Sequence, residues 1–173
     1  MVTLTSTPTS WRLTLEAPPL NILDIPMLAK LREALTKVAP DRHLLVIDAA
    51  PGKAFSAGVS VPDHLGDYAA TMLELFHDSI RLLAQLDVVT VALVRGPALG
   101  GGAELAQACD FILASDDARF GQPEIALGVF APVASWQLSR QITPRKGLEL
   151  LLTGDPIDAH TAEWEVGTDR LRR

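Results

Sequence analysis

The chain has 173 residues, 48% of them hydrophobic, with 15 Lys and Arg against 21 Asp and Glu for a net charge of −6. That length suits one domain with a sizeable core, and the acidic balance argues against nucleic acid as a main partner. No apolar run approaches the roughly 18 residues of a membrane helix, so no membrane association is expected. No basic-then-apolar leader opens the chain, and the cytoplasm is the expected compartment. The lone Cys109 cannot pair internally and is expected to be packed and inert among small apolar neighbours. None of His43, His64, His77 and His160 pairs at metal-ligand spacing on one helix face, so no metal site is expected.

Residues 1–10 are rich in Thr, Ser and Pro and are expected to be flexible. The alternation Trp11-Arg12-Leu13-Thr14-Leu15-Glu16 predicts a half-buried strand. After the turn at Pro18-Pro19, Asp24 suits a helix N-cap with Pro26 in the first turn. Met27, Leu28, Leu31, Leu35 and Val38 mark one face of that helix, which is expected to end near Ala39-Pro40. A strand from His43 to Asp48 leads through Pro51-Gly52 into the small-residue loop Phe55-Ser56-Ala57-Gly58. The helical spacing of Met72, Leu75, Phe76, Ile80 and Leu83 predicts a long amphipathic helix over 68–86, its stripe facing the core.

The β-branched run from Val88 to Val94 predicts a buried strand, broken by Gly100-Gly101-Gly102 before the helix formers Ala103-Glu104-Leu105-Ala106. Strand, glycine turn and helix start place unpaired N–H groups where negative charge is stabilised and a ligand can approach the main chain. Taken alone, this stretch reads equally well as a tight turn with Glu104 placed favourably on the helix dipole. Strands over 111–115 and 118–120 follow, then helices over 134–141 and 145–152, the second closed by Thr153-Gly154-Asp155-Pro156. A last turn or helix starts within Ile157 to Trp164. Strand–helix alternation indicates an α/β fold with right-handed crossovers between parallel strands.

Three segments in order carry a family resemblance: Phe55-Ser56-Ala57-Gly58-Val59, Gly100-Gly101-Gly102-Ala103-Glu104-Leu105, and Gly121-Gln122-Pro123-Glu124 with Leu127-Gly128. Together they resemble the crotonase (enoyl-CoA hydratase/isomerase) superfamily, from about Pro18 to about Ala162. The resemblance implies a ClpP/crotonase-like spiral of ββα units, with 11–162 as the core domain and 163–173 as a divergent tail. It also implies that the family's C-terminal helices, which cover the acyl pocket and build the trimer, are missing after Ala162.

The same resemblance assigns an oxyanion hole to the backbone N–H groups of Val59 and Gly101, and the catalytic carboxylates to Glu104 and Glu124. Ser56, Ala57 and Val61 are expected to meet the thioester or its CoA portion. Gly100 and Phe130 are expected on the substrate as well, and Lys53 is a candidate for a CoA phosphate. No metal or redox cofactor is implied, because coenzyme A is part of the substrate. The partners implied are an acyl-CoA thioester and further copies of the chain, as a homo-trimer or dimer of trimers. Retention of both glutamates favours hydration; isomerisation, other enolate chemistry, or an inactive CoA-binding role stay open. Ser60 stands where many members have Asp. Gly128 to Ser135 replaces a glycine-rich segment with a bulkier acyl wall, resembling the hydratases of alicyclic dienoyl-CoA thioesters.

Overall fold

The computed structural model describes residues 1–165 and 169–170. Strands β1 (Val2–Ser6), β2 (Ser10–Leu15), β3 (Leu44–Ala49), β4 (Val89–Val94), β6 (Phe111–Ala114) and β9 (Asp169–Arg170) form a six-stranded sheet in the order β1-β2-β3-β4-β6-β9. All its neighbours are parallel except the β1–β2 hairpin. A second sheet of three strands, β5 (Pro97–Leu99), β7 (Arg119–Gly121) and β8 (Ile157–Asp158), has the order β5-β7-β8. Helices α1 (Ile25–Leu35), α2 (Tyr68–Ala84), α3 (Gly101–Gln107), α4 (Pro132–Gln141), α5 (Pro144–Thr153) and α6 (Ala159–Glu165) complete the chain. The sheets follow the chain twice: β4 continues into β5 and then α3, and β6 into β7 and the segment bearing Glu124.

The N-terminus, expected to be flexible, is a strand. Val2 to Ser6 pair antiparallel with Leu15 to Trp11, and the Thr7 hydroxyl accepts from the Ser10 N–H at 3.1 Å to close the turn. Thr and Ser alternate here with Val and Leu, so the segment has strand propensity despite its polarity. The helix expected to reach Ala39 stops at Leu35, after an Asp24 cap whose Oδ1 accepts from the Met27 N–H at 2.9 Å. At the other end, α6 runs through the expected boundary at 162, and β9 adds to β6, so the expected tail contributes to the sheet. Residues 166–168 and 171–173 of that tail lie outside the described ones.

One core joins β2, β3, β4, α1 and α2, with Leu13, Leu28, Leu31, Leu45, Ile47 and Leu83 among its fully or nearly fully buried side chains. Cys109 belongs to this core, and burial pushes its thiol up to about 12, so the reactive thiolate is suppressed. The loop after β3 is clamped on two sides. Val59 bridges Leu23 on one flank, and Ser56 bridges Ala98 of β5 on the other.

Asn21 anchors that clamp. It is fully buried with a positive φ of 48°, a conformation that Asn tolerates better than most residues. Its Oδ1 accepts from the Ala17 N–H at 2.8 Å, its Nδ2 donates to the Ala54 carbonyl at 2.9 Å, and its carbonyl accepts from the Ser56 hydroxyl at 2.8 Å. Asn21→Ala removes both side-chain bonds and leaves a buried donor and acceptor unpaired. The expected loss is about 2–4 kcal/mol, read from urea unfolding curves. A loss below about 0.5 kcal/mol would show that the clamp is held by other contacts.

Candidate active site

The site begins with a close approach of two backbones. The clamped loop presses on the start of α3, where a side chain would collide. A Cβ on Gly101 would lie 2.6 Å from Val59 Cγ2, and one on Gly102 would lie 2.5 Å from the Ser56 carbonyl oxygen. Gly100 combines a φ of 51° with a Cβ position only 2.5 Å from Glu124 Oε1. The consecutive glycines are therefore a packing requirement as well as a turn signal.

Two amides emerge from this contact. Leu23 exchanges bonds with the Gly58 carbonyl, at 2.9 Å, and the Ser60 N–H, at 3.2 Å. The parallel bridge thus leaves the Val59 N–H on the other edge. Gly101 is the first residue of α3, so its N–H has no intrahelical acceptor. Neither N–H has an acceptor among the described residues. A Cβ on Gly58, beside Val59, would lie 3.6 Å from the Gly101 nitrogen, which places both amides at one spot.

Both glutamates reach the same cavity, of about 210 Å³, which Val59, Gly101, Glu104 and Glu124 all line. Glu104, one turn into α3, is 3% exposed, and its Oε1 accepts from the Ala134 N–H at the start of α4 at 2.7 Å. Burial, opposed by the Ala134 bond and reinforced by the charge of Glu124, lifts its carboxyl from the ordinary 4.5 to about 7. Glu124 sits in a short 3-10 helix, Pro123–Leu127, with Pro in the first turn. Burial raises its carboxyl too, while the charge of His64 pulls the other way. Its Oε2 is buried with no partner among the described residues. Two desolvated carboxyls facing one cavity hold at most one negative charge comfortably near neutral pH.

Ala57, Val61, Gly100 and Phe130 line the cavity as the motifs led us to expect, with Val61 and Phe130 exposed at its mouth. Ser56 does not line it. Its hydroxyl donates to the Asn21 carbonyl and accepts from the Gly58 N–H at 3.2 Å, and its N–H and carbonyl both bond β5 and its end. Ser56 has no group left for a ligand and serves the clamp instead. Lys53 lies outside the cavity, in a separate cleft with Asp48, Arg95 and Asp117 at the strand ends.

The motifs missed the wall made by His64 and by Met72, Phe76 and His77 of α2. Helical spacing places the α2 stripe inward without saying that part of it borders a cavity. The sequence sign of the His64 segment was Pro62, which stands at the first position of a 3-10 helix, Pro62–His64. Among the described residues no three His, Cys, Asp or Glu side chains gather as a metal site, and no helix is long and apolar enough to cross a membrane.

A glycine-started helix carrying a buried glutamate, a second glutamate facing it and two converging amides define a crotonase-type site on a crotonase fold. The family description enoyl-CoA hydratase/isomerase matches residues 10–167, and the chain belongs to that family. It is 42% identical over 149 residues to cyclohexa-1,5-dienecarbonyl-CoA hydratase of Thauera aromatica, covering 85% of this chain and 57% of that protein. It is 39% identical over 169 residues to a probable enoyl-CoA hydratase of Rhizobium meliloti, covering 92% of this chain and 66% of that protein. An enoyl-CoA hydratase/isomerase family protein of Silicibacter pomeroyi superposes with a TM-score of 0.91 at 30% identity, over 100% of this chain and 77% of the other. The chain thus spans 57% and 66% of the lengths of the two relatives matched by sequence.

The raised Glu104 carboxyl has a stability consequence. Its contribution is fully present below the unfolded value near 4.5 and is lost as pH rises through about 7, because the buried group must then ionise. Glu104→Gln keeps an acceptor for Ala134 and cannot ionise. The stability of the variant relative to the parent should rise by on the order of 3 kcal/mol between acid and mildly alkaline pH. Denaturant melts across that range provide the check, and a pH-independent difference between the two proteins would refute the assignment.

Proposed function

We propose that this protein adds water across the α,β double bond of an enoyl-CoA or dienoyl-CoA thioester. The observation that carries the reading is the convergence of Glu104, Glu124 and the Val59 and Gly101 amides on one cavity. The amides receive the thioester oxygen and hold the charge it gains as the enolate forms. Each donor of such a hole is typically worth about 2.7–4 kcal/mol.

The glutamate pair divides the proton work. One carboxylate takes a proton from water as the oxygen bonds to the β-carbon; the other, protonated, delivers its proton to the α-carbon. The pair ends with the same number of protons it began with, so no outside acid or base is needed. The Ala134 N–H fixes Glu104 toward the reacting carbons, and Ala57 and Val61 border the path of the pantetheine arm. Phe130 and Val129 make the acyl wall, and this bulk favours compact or cyclic acyl groups over long straight chains. Coenzyme A enters as part of the substrate, and the chemistry uses no metal or redox cofactor.

A homo-trimer or dimer of trimers belongs to the same proposal. It is supported by exposed Leu127, Phe130, Trp136, Leu148 and Leu152 on the face bearing the cavity mouth and α4–α5. So does a cytoplasmic location.

The test is hydration of crotonyl-CoA and of a cyclic dienoyl-CoA in deuterated water. The expected product is the β-hydroxy thioester with one deuterium at the α-carbon. Glu124→Gln should lower kcat by about 10²–10⁴-fold with little change in fold. A product with a moved double bond and no added oxygen would assign isomerisation instead, and equal rates in variant and parent would reject the glutamate roles.

A further inference from the structure

The cavity contains one polar atom that the hydration chemistry leaves unused. His64 closes the 3-10 helix Pro62–His64 and lines the cavity together with Glu124. Its Nδ1 lies 2.9 Å from the Ser60 carbonyl oxygen. A carbonyl only accepts, so this partner assigns the proton of the neutral ring to Nδ1 and makes Nε2 a lone-pair acceptor. Nε2 has no partner among the described residues. The ring is also held in place from its own segment: the Asp63 carboxylate accepts from the Ile25 N–H at 3.0 Å, and the Leu65 N–H donates to the Pro62 carbonyl at 3.1 Å.

The surroundings make this acceptor selective. Leu65, Met72, Leu73 and Phe76 supply the rest of that wall, and a hydrocarbon lying against it would leave Nε2 desolvated and unmatched. His77 lines the same wall, but burial and the nearby Arg81 push its pKa down, so no fixed cation competes there. The charge of His64 is felt by Glu124, which places the ring beside the reacting end of the cavity and away from open solvent.

We propose that His64 is a specificity-determining residue whose Nε2 accepts a hydrogen bond from a hydroxyl group on the acyl moiety, beyond the carbons handled by the two glutamates. The substrate class is a hydroxylated alicyclic acyl thioester, in preference to the plain hydrocarbon of the same size. This rests on the thioester reading above. It differs from that reading in requiring a hydrogen-bond donor on the acyl group, since an ether or ketone has no proton to give to Nε2.

Calorimetric titration with saturated thioesters tests the point without turnover. The probes are cyclohexanecarbonyl-CoA and its trans-3-hydroxy and trans-4-hydroxy derivatives, at about pH 8, where the imidazole is neutral. At least one hydroxy isomer should bind the parent about tenfold more tightly than the unsubstituted ring, in line with sites built to pair a substrate hydroxyl. In His64→Leu the ratio should fall to near one, and in His64→Gln, which restores an acceptor, part of it should return. Replacing the hydroxyl by a methoxy group should abolish the preference in the parent. Equal affinities across the series in the parent, or a preference that survives His64→Leu, would overturn the assignment. Crotonyl-CoA hydration by the parent is scored separately. Absent hydration with the hydroxyl preference intact would reject the catalytic reading and keep this one, and no binding of any thioester would reject both.

Discussion

The structure depends on the contact between the 56–59 loop and the glycine start of α3. Ordinary side chains at 100–102 would collide with Glu124, Val59 and Ser56, as the 2.5 Å and 2.6 Å Cβ approaches show. Everything chemical at the site follows from that closeness. It brings two unpaired amides to one spot, and it sets Glu104 one helical turn behind them. It also brings Gly100 against Glu124 from a separate segment. The clamp around Asn21, Ser56, Leu23 and Ala98 holds the loop in this position through backbone bonds, so the amides stay aimed whatever side chain occupies 59.

The same compactness creates the electrostatic tension that the site uses. Glu104 is withdrawn from water and tied by one backbone N–H, which orients it without compensating fully for the lost hydration. The second carboxyl adds repulsion. Such a pair is stable only while it shares a proton, and a pair sharing a proton can both give and take one at neutral pH. Local instability and proton-transfer capacity therefore have one physical origin, which is a common reason for burying acids at reactive sites.

Much of this was legible in the sequence where local chemistry decides the outcome. The β-branched run before Arg95, the Asp24 cap, the α2 stripe and the Gly154 helix stop all fell where propensity and capping rules place them. Glu104 and Glu124 could be brought together only because three motifs in order resembled a family, since no spacing rule joins residues on separate segments. The failures share a cause. The strands β1 and β5 exist because of pairing partners far along the chain, and Ser56 turns inward because Asn21 offers it a carbonyl. His64 enters the site through a short 3-10 helix that periodicity cannot detect.

Carbon-13 NMR titration of the Glu104 side-chain carboxyl, in the parent and in Glu124→Gln, tests the central claim of one shared, desolvated carboxyl site most directly. The parent should titrate with a midpoint near 7, and removing the neighbouring charge should move that midpoint downward. A midpoint at the ordinary 4.5, or one indifferent to the residue at 124, would contradict it.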